Sequence, residues 1–233
     1  GIKILNMYGL TETSPIITIN RRTSPYLKLG SVGCVIDGVE LKIAEDGEIL
    51  CKGHDVMIGY FKNEELTKQA FTEDGWFKTG DIGHLVDDKF LMVTDRKKEI
   101  FKLSNGKYVA PQSLEIKYKN SIFIENLMVV GEHKKYAGAV ISPNFTNLID
   151  WMKSNNIPFE SQDHLLQIKE VHDLYRTEIQ RLNKSVSEFE KIIKFKLVAD
   201  QWSPNTGELS ATLKLKRNYI SKKYQEEIEE IFS

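Results

Sequence analysis

A change in sequence pattern near residue 95 is the strongest constraint on how this chain folds. Before that point, short apolar stretches alternate with polar residues between glycine turns, as in Val39, Leu41 and Ile43 ahead of Asp46-Gly47. Alternation with a period of two predicts half-buried β-strands, and Asp-Gly predicts hairpin turns. After residue 95, strand patterns mix with helical ones. We therefore expect an α+β fold, in which a small antiparallel β-barrel or sheet precedes an α+β domain.

Several strands and one helix are expected in the first part of the chain. Apolar residues between Ile2 and Leu5 predict an opening strand, and Glu48–Cys51 and Phe90–Val93 predict two later ones. The segment Glu64–Phe71 predicts a short helix, because Asn63 is a suitable N-cap and two glutamates occupy the electropositive first turn. These elements fit a sheet-rich first domain.

Beyond residue 95 the apolar spacing alternates between strand and helix periods. Asn105-Gly106 between two apolar stretches predicts a hairpin with strands at 100–103 and 108–109. Helical patterns occur in a segment that begins at Pro111, at residues 145–155, in one long amphipathic helix from Leu165 to Phe189, and from Ile220 to Ile231. Strand patterns occur at Asn126–Val130, Ala137–Ile141 and Ile192–Val198.

The charged segment Asp95–Lys98 is the expected domain boundary. A core element would be apolar, whereas this segment is densely charged and lies where the sequence pattern changes. We therefore expect a first domain over residues 1–95 and a second over residues 96–233. Since no flexible spacer separates them, any motion between them would be a hinge over a few residues.

Charge and cysteine content exclude several classes of function. The 233 residues include 32 Lys and Arg against 33 Asp and Glu, whereas a nucleic-acid binder usually has a strong basic excess. Cys34 and Cys51 lack CxxC spacing, and the five histidines lack metal-ligand spacing. The chain has no apolar run long enough to span a bilayer and no signal peptide. Because the two cysteines do not indicate a disulfide framework, we expect a protein of the reducing cytoplasm. It also begins without Met in a strand-like segment, and we expect it to be cut from a longer fold.

The first motif whose residues could bind a ligand is Tyr8-Gly9-Leu10-Thr11-Glu12. An aromatic ring can stack on a purine, and Gly9 allows the backbone to approach a bound nucleotide closely. The Thr11 hydroxyl can donate to a phosphate oxygen, and the Glu12 carboxylate can hold Mg²⁺. Taken alone, the motif fits equally a strand, a turn and the start of a loop.

Two further motifs carry charged residues. In Thr79-Gly80-Asp81, the aspartate can accept two hydrogen bonds from a ribose diol, although this tripeptide is also common in turns. In Asp95-Arg96-Lys97-Lys98-Glu99, arginine offers a planar fork of donors for ribose or phosphate oxygens. The alternative for this second motif is a solvated charged surface.

The last motif is Thr212-Leu213-Lys214-Leu215-Lys216-Arg217 near the C-terminal end. A lysine is a compact cation on a flexible stem and can neutralise charge that develops at a phosphate. These lysines can also simply solvate a strand edge.

The four motifs, in this order, resemble the late motifs of the AMP-forming acyl-CoA synthetases of the adenylate-forming superfamily, over nearly the whole chain. Leu-Lys-Leu-Lys-Arg and the long segment 160–190 resemble the long-chain branch. The resemblance implies the C-terminal part of an ATP-dependent long-chain fatty-acid–CoA ligase, which converts fatty acid, ATP and coenzyme A to acyl-CoA, AMP and pyrophosphate through an acyl-adenylate. The family's phosphate loop and acyl pocket lie upstream. We therefore expect this chain alone to lack ligase activity.

The resemblance also implies roles for individual residues at the nucleotide. Tyr8 would lie against adenine, and Thr11 would contact the AMP phosphate. Glu12 would serve Mg²⁺, while Asp81 and Arg96 would bind the ribose. In this pattern the substrates are small molecules, and no nucleic acid is involved.

Three more residues acquire roles from the same resemblance. Lys98 would be the pivot about which a mobile C-terminal domain rotates between adenylation and thioester formation. Gly106 lies in the hairpin that would line the pantetheine tunnel of coenzyme A. Lys214 would be the adenylation lysine, with Lys216 as the alternative, and Leu213 stands where the family commonly has glycine.

Other functions stay open at this point. The chain could belong to another adenylate-forming enzyme, such as a medium-chain or aryl-CoA ligase, or be an interaction module without catalysis. Fatty substrates partition into bilayers, so peripheral membrane attachment of a full-length enzyme is compatible with the pattern. Acyl chain length and oligomeric state do not follow from these residues.

Overall fold

The structure is a computed structural model that describes residues 4–23 and 25–233. The chain divides after Glu99 into two compact units, the second of which is Ile100–Ser233. Antiparallel sheets dominate the first unit, and helices and strands mix in the second, so the predicted α+β class is confirmed. The functional division into residues 1–95 and 96–233 stays a prediction.

In residues 4–23 and 25–99, the first unit contains seven strands and one α-helix. A three-stranded antiparallel sheet contains β1 (Met7–Tyr8), β2 (Thr18–Ile19) and β3 (Cys34–Val35). A four-stranded antiparallel sheet contains, in chain order, β4 (Val39–Ile43), β5 (Glu48–Gly53), β6 (Phe77–Val86) and β7 (Phe90–Arg96). Helix α1 (Glu64–Ala70) lies between β5 and β6 in the chain, and Thr11–Thr13 forms a 3-10 turn.

The predicted hairpin and helix cap of this unit are confirmed. Gly47 has a φ of +84° between β4 and β5, a left-handed conformation that glycine adopts without a steric cost. The Asn63 side chain accepts a hydrogen bond of 3.0 Å from the Leu66 N–H at the start of α1. Local sequence therefore determines these two boundaries.

The predicted strand at residues 2–5 is wrong where the structure describes it. Ile2 lies outside the described residues, and Ile4 and Leu5 are not in a strand. The strand begins at Met7 instead, because Met7 and Tyr8 are the residues that pair with Thr18–Ile19. Ile4 is 87% exposed, so its apolar side chain does not mark a buried strand face.

The turn that was the alternative for Thr79-Gly80-Asp81 is not observed, because the tripeptide lies inside β6, a strand that was not predicted. Thr79 and Asp81 both point into the structure, and the Thr79 hydroxyl donates to the Ile49 carbonyl at 2.8 Å. Gly80 has a φ of +72°, and the register with β7 shifts between Ile82 and Gly83. A β-bulge of this kind re-aims neighbouring side chains, which sequence pattern alone does not reveal.

The second unit packs helices on a three-stranded sheet. The sheet contains β10 (Ile124–Val130) antiparallel to β11 (Ala137–Pro143), and β12 (Ile192–Leu197) parallel to β11. A separate hairpin contains β8 (Phe101–Lys102) and β9 (Tyr108–Val109). The helices are α2 (Pro111–Tyr118), α3 (Phe145–Ser154), α4 (Gln162–Leu165), α5 (Lys169–Asn183), α6 (Arg217–Lys223) and α7 (Gln225–Phe232).

Alternating residues of the central strands feed two separate cores. Leu127 and Val129 pack in one apolar cluster with residues of α2, α3 and α5, whereas Met128 packs in another with residues of α6 and α7. Successive side chains of a strand point to opposite faces, so the sheet is buried on both sides. The predicted hairpin at Asn105-Gly106 and the helix start at Pro111 are confirmed.

The single long helix predicted from Leu165 to Phe189 is wrong, because α4 and α5 are separate and a 3-10 turn covers Glu188–Glu190. Ile168 is extended between the two helices. After α5, the Asn183 amide donates to the Ile192 carbonyl at 3.0 Å and accepts from the Ile192 N–H at 3.1 Å. This contact brings the chain back to the sheet, and the apolar spacing continues because the residues beyond the helix still face the core.

The predicted C-terminal helix is divided at Tyr224, which separates α6 from α7 with φ of −111° and ψ of 36°. Among the helices in residues 4–23 and 25–233, none combines the length and apolarity needed to cross a bilayer.

Asp55, just after β5, is a buried carboxylate of the first unit. Its residue exposure is 9%, and neither carboxylate oxygen has a hydrogen-bond partner among the described residues. Burial, and then the charge of Asp55, raise the pKa of the neighbouring Cys51 thiol to about 12. A buried charge without a partner costs folding free energy.

Replacing this carboxylate with its neutral isostere should stabilise the protein. We predict that Asp55→Asn raises the free energy of unfolding by about 1–2 kcal/mol, measured by urea denaturation of the 233-residue chain. Asp37→Asn is the control, because the Asp37 side chain is fully exposed, and it should change stability little. A loss of stability in Asp55→Asn would show that the carboxylate has a partner.

Candidate functional site

Asp81 is the meeting point of the predicted site residues in the first unit. It lies on β6 opposite Arg96 on β7, and the Arg96 Nε is 3.1 Å from its Oδ1. The Tyr8 hydroxyl donates to its Oδ2 at 2.7 Å. The Asp81 side chain is 6% exposed, whereas that of Arg96 is 53% exposed. Three predicted residues from distant sequence positions therefore converge.

The protonation of Tyr8 fits its role as a donor to Asp81. Burial raises the pKa of the Tyr8 phenol above its ordinary range, the hydrogen bond with Thr79 opposes this, and the charge of Asp81 raises the pKa further. The phenol therefore stays protonated at neutral pH. Each carboxylate oxygen has two lone pairs, so Asp81 can accept further hydroxyl donors while Tyr8 and Arg96 hold it in place.

Lys97 and Glu48, which were not predicted, fix the backbone at Gly80, the residue that precedes Asp81. The Lys97 N–H donates to the Gly80 carbonyl at 2.8 Å, and the Gly80 N–H donates to Glu48 Oε1 at 3.0 Å. The Lys97 ammonium lies 2.6 Å from Asp46 and 2.7 Å from Glu48, and the hydrogen bonds that it donates to these carboxylates raise the pKa of Lys97. The signal for Lys97 was present, because it lies in the charged motif beside Arg96.

Thr11 and Glu12 lie in the 3-10 turn that follows Gly9. Glu12 Oε1 accepts a hydrogen bond of 3.0 Å from the Tyr60 hydroxyl, and the Glu12 carbonyl accepts one of 2.7 Å from the Met57 N–H. The contact with Tyr60 was not predicted from the sequence. Burial and the neighbouring Glu12 raise the pKa of the Tyr60 phenol.

The fold itself requires glycine at position 9, whether or not a ligand binds there. A Cβ atom at this position would lie 1.9 Å from the Pro15 carbonyl oxygen, so the chain folds back on itself where only glycine fits. No group of three or more His, Cys, Asp or Glu residues that could hold a metal occurs in residues 4–23 and 25–233.

Lys98 and Gly106 are both exposed. Lys98 lies in the turn that follows β7, and its predicted role as a pivot stays a prediction. Gly106 has a φ of +85° in the β8–β9 hairpin, where its N–H donates to the Leu103 carbonyl at 3.0 Å. The hairpin is joined to the segment before β11, because the Ser104 N–H donates to the Lys134 carbonyl at 2.9 Å.

Lys214 lies in a tight turn of the second unit, which we name the lysine loop (residues 209–215). Leu209 and Leu215 form an isolated β-bridge at its base. Ser210 closes the turn, because its N–H donates to the Lys214 carbonyl at 2.8 Å and its Oγ accepts from the Lys214 N–H at 3.1 Å. The Lys214 side chain is exposed.

Leu213 adopts a φ of +60°, which is the left-handed region that favours glycine. This is the position at which the family resemblance leads us to expect glycine. Lys216 differs from Lys214 in its surroundings, because its ammonium lies over the Tyr219 ring, 5.3 Å from the ring centre.

Two ion pairs lie at the ends of the lysine loop, and sequence reasoning found neither. Arg217 donates to both carboxylate oxygens of Glu115, at 2.9 and 2.6 Å. The Lys223 ammonium lies 2.7 Å from Glu208 and 3.0 Å from Asp200. Because Glu115 and Arg217 are 102 positions apart, no local pattern indicates their contact.

Family profiles cover most of the chain. The family described as "AMP-binding enzyme C-terminal domain" matches residues 98–233. The family described as "AMP-binding enzyme" matches residues 1–61.

Curated relatives share the sequence over the whole chain but are much longer. "Long-chain-fatty-acid--CoA ligase FadD15" of Mycobacterium bovis is 38% identical over 100% of this chain and 38% of its own length. "Long-chain-fatty-acid--CoA ligase 6" of Rattus norvegicus is 31% identical over 100% of this chain and 35% of its own length. The chain thus spans little more than a third of these relatives.

Solved structures share the fold. The adenylation domain of a carboxylic acid reductase from Segniliparus rugosus, in complex with AMP and a carboxylic acid, matches 99% of this chain and 35% of that one, with a TM-score of 0.73 and 24% identity. O-succinylbenzoate coenzyme A synthetase from Bacillus subtilis, in complex with AMP, matches 92% of this chain and 40% of that one, with a TM-score of 0.64 and 25% identity.

Removing the Tyr8 hydroxyl should weaken the fold around Asp81. We predict that Tyr8→Phe lowers the free energy of unfolding by about 1.5 kcal/mol, because a hydrogen bond to a charged group is lost. Urea denaturation of the chain measures this change. Tyr26→Phe is the control, since the Tyr26 ring is partly exposed and its contact with Lys89 needs only the aromatic face. Equal effects of the two variants would contradict the role given to the Tyr8 hydroxyl.

The Glu208–Lys223 ion pair should make stability depend on pH. Burial raises the pKa of Glu208, but the hydrogen bond from Lys223 and the smaller favourable polar interactions around the carboxylate together outweigh burial and hold the pKa below its ordinary value. A carboxyl group with a lowered folded pKa contributes stability above its unfolded pKa, about 4.3, and this contribution disappears as pH falls through the folded value.

We therefore expect Glu208→Gln to cost about 2 kcal/mol of unfolding free energy at pH 7 and to lose this deficit below about pH 4. Urea denaturation across that range measures both values. Glu188→Gln, which removes an 86% exposed partner of Lys191, should change stability little at either pH. A Glu208→Gln deficit that persists at low pH would mean that the side chain acts through packing instead of charge.

Proposed function

The chain belongs to the AMP-binding enzyme family, whose C-terminal domain covers residues 98–233, and from this premise we propose that it works as the C-terminal part of an ATP-dependent long-chain fatty-acid–CoA ligase. Its curated relatives bear that activity in their names and match it from end to end. Because the chain spans little more than a third of their length, the activity belongs to the longer protein. The proposed substrates are a fatty acid, ATP and coenzyme A.

The observation that carries this proposal is the convergence of Tyr8 and Arg96 on the buried Asp81 carboxylate. In the proposed complex, Asp81 accepts hydrogen bonds from the ribose hydroxyls of ATP, and the exposed guanidinium of Arg96 adds donors beside it. The Tyr8 ring lies against adenine, next to the backbone of Gly9, and the Thr11 hydroxyl donates to the α-phosphate. Since the protein holds Asp81 before the nucleotide arrives, little ordering is needed on binding.

The Glu12 carboxylate is a suitable type of ligand for a magnesium ion. Mg²⁺ commonly binds through one or two carboxylates together with substrate phosphates, and Glu12 is a single carboxylate anchored through one oxygen by Tyr60. When bound, Mg²⁺ would supply positive charge that neutralises the phosphates. The part of this chain is to hold and orient the Glu12 carboxylate.

The proposed reaction has two steps. A fatty-acid carboxylate oxygen attacks the α-phosphorus of ATP, and the bond to pyrophosphate breaks. The thiol of coenzyme A then attacks the acyl carbonyl, and the bond to AMP breaks. In the first step, the Lys214 ammonium stabilises the charge that develops at the α-phosphate.

Two features of the second unit support Lys214 over Lys216 for this role. Leu213 has the backbone conformation that glycine favours, at the place where the family has glycine beside its lysine. The Lys216 ammonium, in contrast, lies over the Tyr219 ring. For the second step, Lys98 is the proposed pivot and the Gly106 hairpin the proposed contact to the pantetheine arm. A cytoplasmic location with peripheral membrane contact is proposed for the longer protein, since its substrate partitions into bilayers.

The decisive assay is fatty-acid-dependent exchange of pyrophosphate into ATP by the complete gene product that contains this chain. We predict that Lys214→Ala lowers the exchange rate by about 100-fold, the cost of removing one group that stabilises transition-state charge. Asp81→Ala should raise the KM for ATP by about tenfold or more, because the ribose loses a charged acceptor. Lys216→Ala is the matched control and should retain the exchange rate.

A complete protein without fatty-acid-dependent exchange would contradict the proposed function. Exchange that survives in Lys214→Ala but is lost in Lys216→Ala would keep the function and reassign the lysine.

A further inference from the structure

The lysine loop and helix α6 form a closed ring of contacts. Arg217 and Lys223 are the first and last residues of α6, so the helix begins just after the loop. Lys223 reaches back to Glu208, which lies just before the loop, at 2.7 Å. The Lys216 N–H also donates to the Glu208 carbonyl at 2.8 Å. Glu208 is therefore in contact both with the residue that follows the lysine loop and with the last residue of α6.

The second ion pair fastens this ring to the sheet. Arg217 binds both oxygens of Glu115, a residue of α2, and Glu115 Oε1 also accepts a hydrogen bond of 2.8 Å from the Val129 N–H of β10. The Glu115 side chain is 8% exposed and that of Arg217 is 20% exposed. A bidentate contact fixes orientation as well as distance, so the first turn of α6 has one defined direction.

A purely stabilising purpose is a poor explanation for these features, although breaking either ion pair would leave a buried charge unpaired and destabilise the chain. A buried ion pair is often no more stabilising than apolar residues of the same volume. Glu208 Oε2 is buried and has no hydrogen-bond partner among the described residues, and Leu213 is held in a left-handed conformation. Unfavourable arrangements of this kind persist where the surrounding structure holds a functional group in one geometry. The loop that lies between these contacts is the lysine loop, which carries Lys214.

We infer that Glu208 and Arg217, through Lys223 and Glu115, are positioning residues that hold the Lys214 loop in its reactive shape before substrate binds. This inference rests on the proposed function. Charge stabilisation in a transition state is most effective when the stabilising group needs no reorganisation at the moment of reaction. A displacement of about 1 Å can cost about 100-fold in rate, so loosening either ion pair should slow adenylation.

The test separates the two half-reactions of the complete gene product. Arg217→Lys keeps the charge but loses the bidentate fork, and Glu208→Gln keeps the shape but loses the charge. Each should lower kcat of pyrophosphate exchange by about ten- to 100-fold, with the KM for ATP changed less than about twofold. Transfer of the acyl group from synthetic acyl-adenylate to coenzyme A should keep its rate. Arg181→Lys, in an exposed ion pair with Glu178, is the control and should change neither half-reaction.

A double-variant comparison distinguishes positioning from general damage. If Arg217 acts through Lys214, then Arg217→Lys should have no further effect on exchange in a Lys214→Ala background. Additive losses, or equal losses in both half-reactions, would overturn the inference.

A separate readout stays valid if the proposed function fails. In the 233-residue chain, amide hydrogen exchange at Leu213, Lys214 and Lys216 should accelerate by about tenfold or more in Arg217→Lys and Glu208→Gln, while amides of β10 and β11 exchange as in the parent chain. Unchanged exchange in the loop would contradict the positioning role. A parent protein without pyrophosphate exchange would instead contradict the proposed function, whatever the loop does.

Discussion

The contacts of the buried Asp81 carboxylate with Tyr8 and Arg96 are the interaction on which the candidate site of the first unit depends. A carboxylate that is 6% exposed needs partners, and the fold supplies Tyr8 from the first sheet and Arg96 from the neighbouring strand. The bulge after Asp81 and the ties of Lys97 to Gly80 and Glu48 keep this part of β6 in place. An acceptor held in this way still has lone pairs available, so it can accept further hydrogen bonds without losing these contacts.

In the second unit, ion pairs likewise fix the backbone around a charged residue, which here is a lysine. Its exposed Lys214 lies in a turn, and an ion pair with a buried carboxylate lies beyond each end of that turn. Helix α6 connects the two ion pairs, because Arg217 and Lys223 are its first and last residues. Both units thus combine a buried carboxylate, Asp81 or Glu208, with an exposed basic side chain, Arg96 or Lys214.

Much of this could be predicted from the sequence where the signal is local. Asp-Gly and Asn-Gly located two hairpins, Asn63 located a helix start, and the order of four motifs located Tyr8, Asp81 and Arg96. Register and long-range contacts have no local signal. The strand that contains Gly80 was not predicted, because its pairing with β5 and β7 and the bulge in that pairing have no local signal. The helix after Leu165 ends early because Asn183 binds the backbone of Ile192, and Glu115 finds Arg217 across 102 positions.

The most direct test of the central claim is a crystal structure of the complete gene product with AMP. The account predicts both ribose hydroxyl oxygens within about 3.2 Å of the Asp81 carboxylate, with Tyr8 and Arg96 still in contact with it. AMP bound elsewhere, with Asp81 still paired only to Tyr8 and Arg96, would contradict it and reduce the cluster to a structural ion pair.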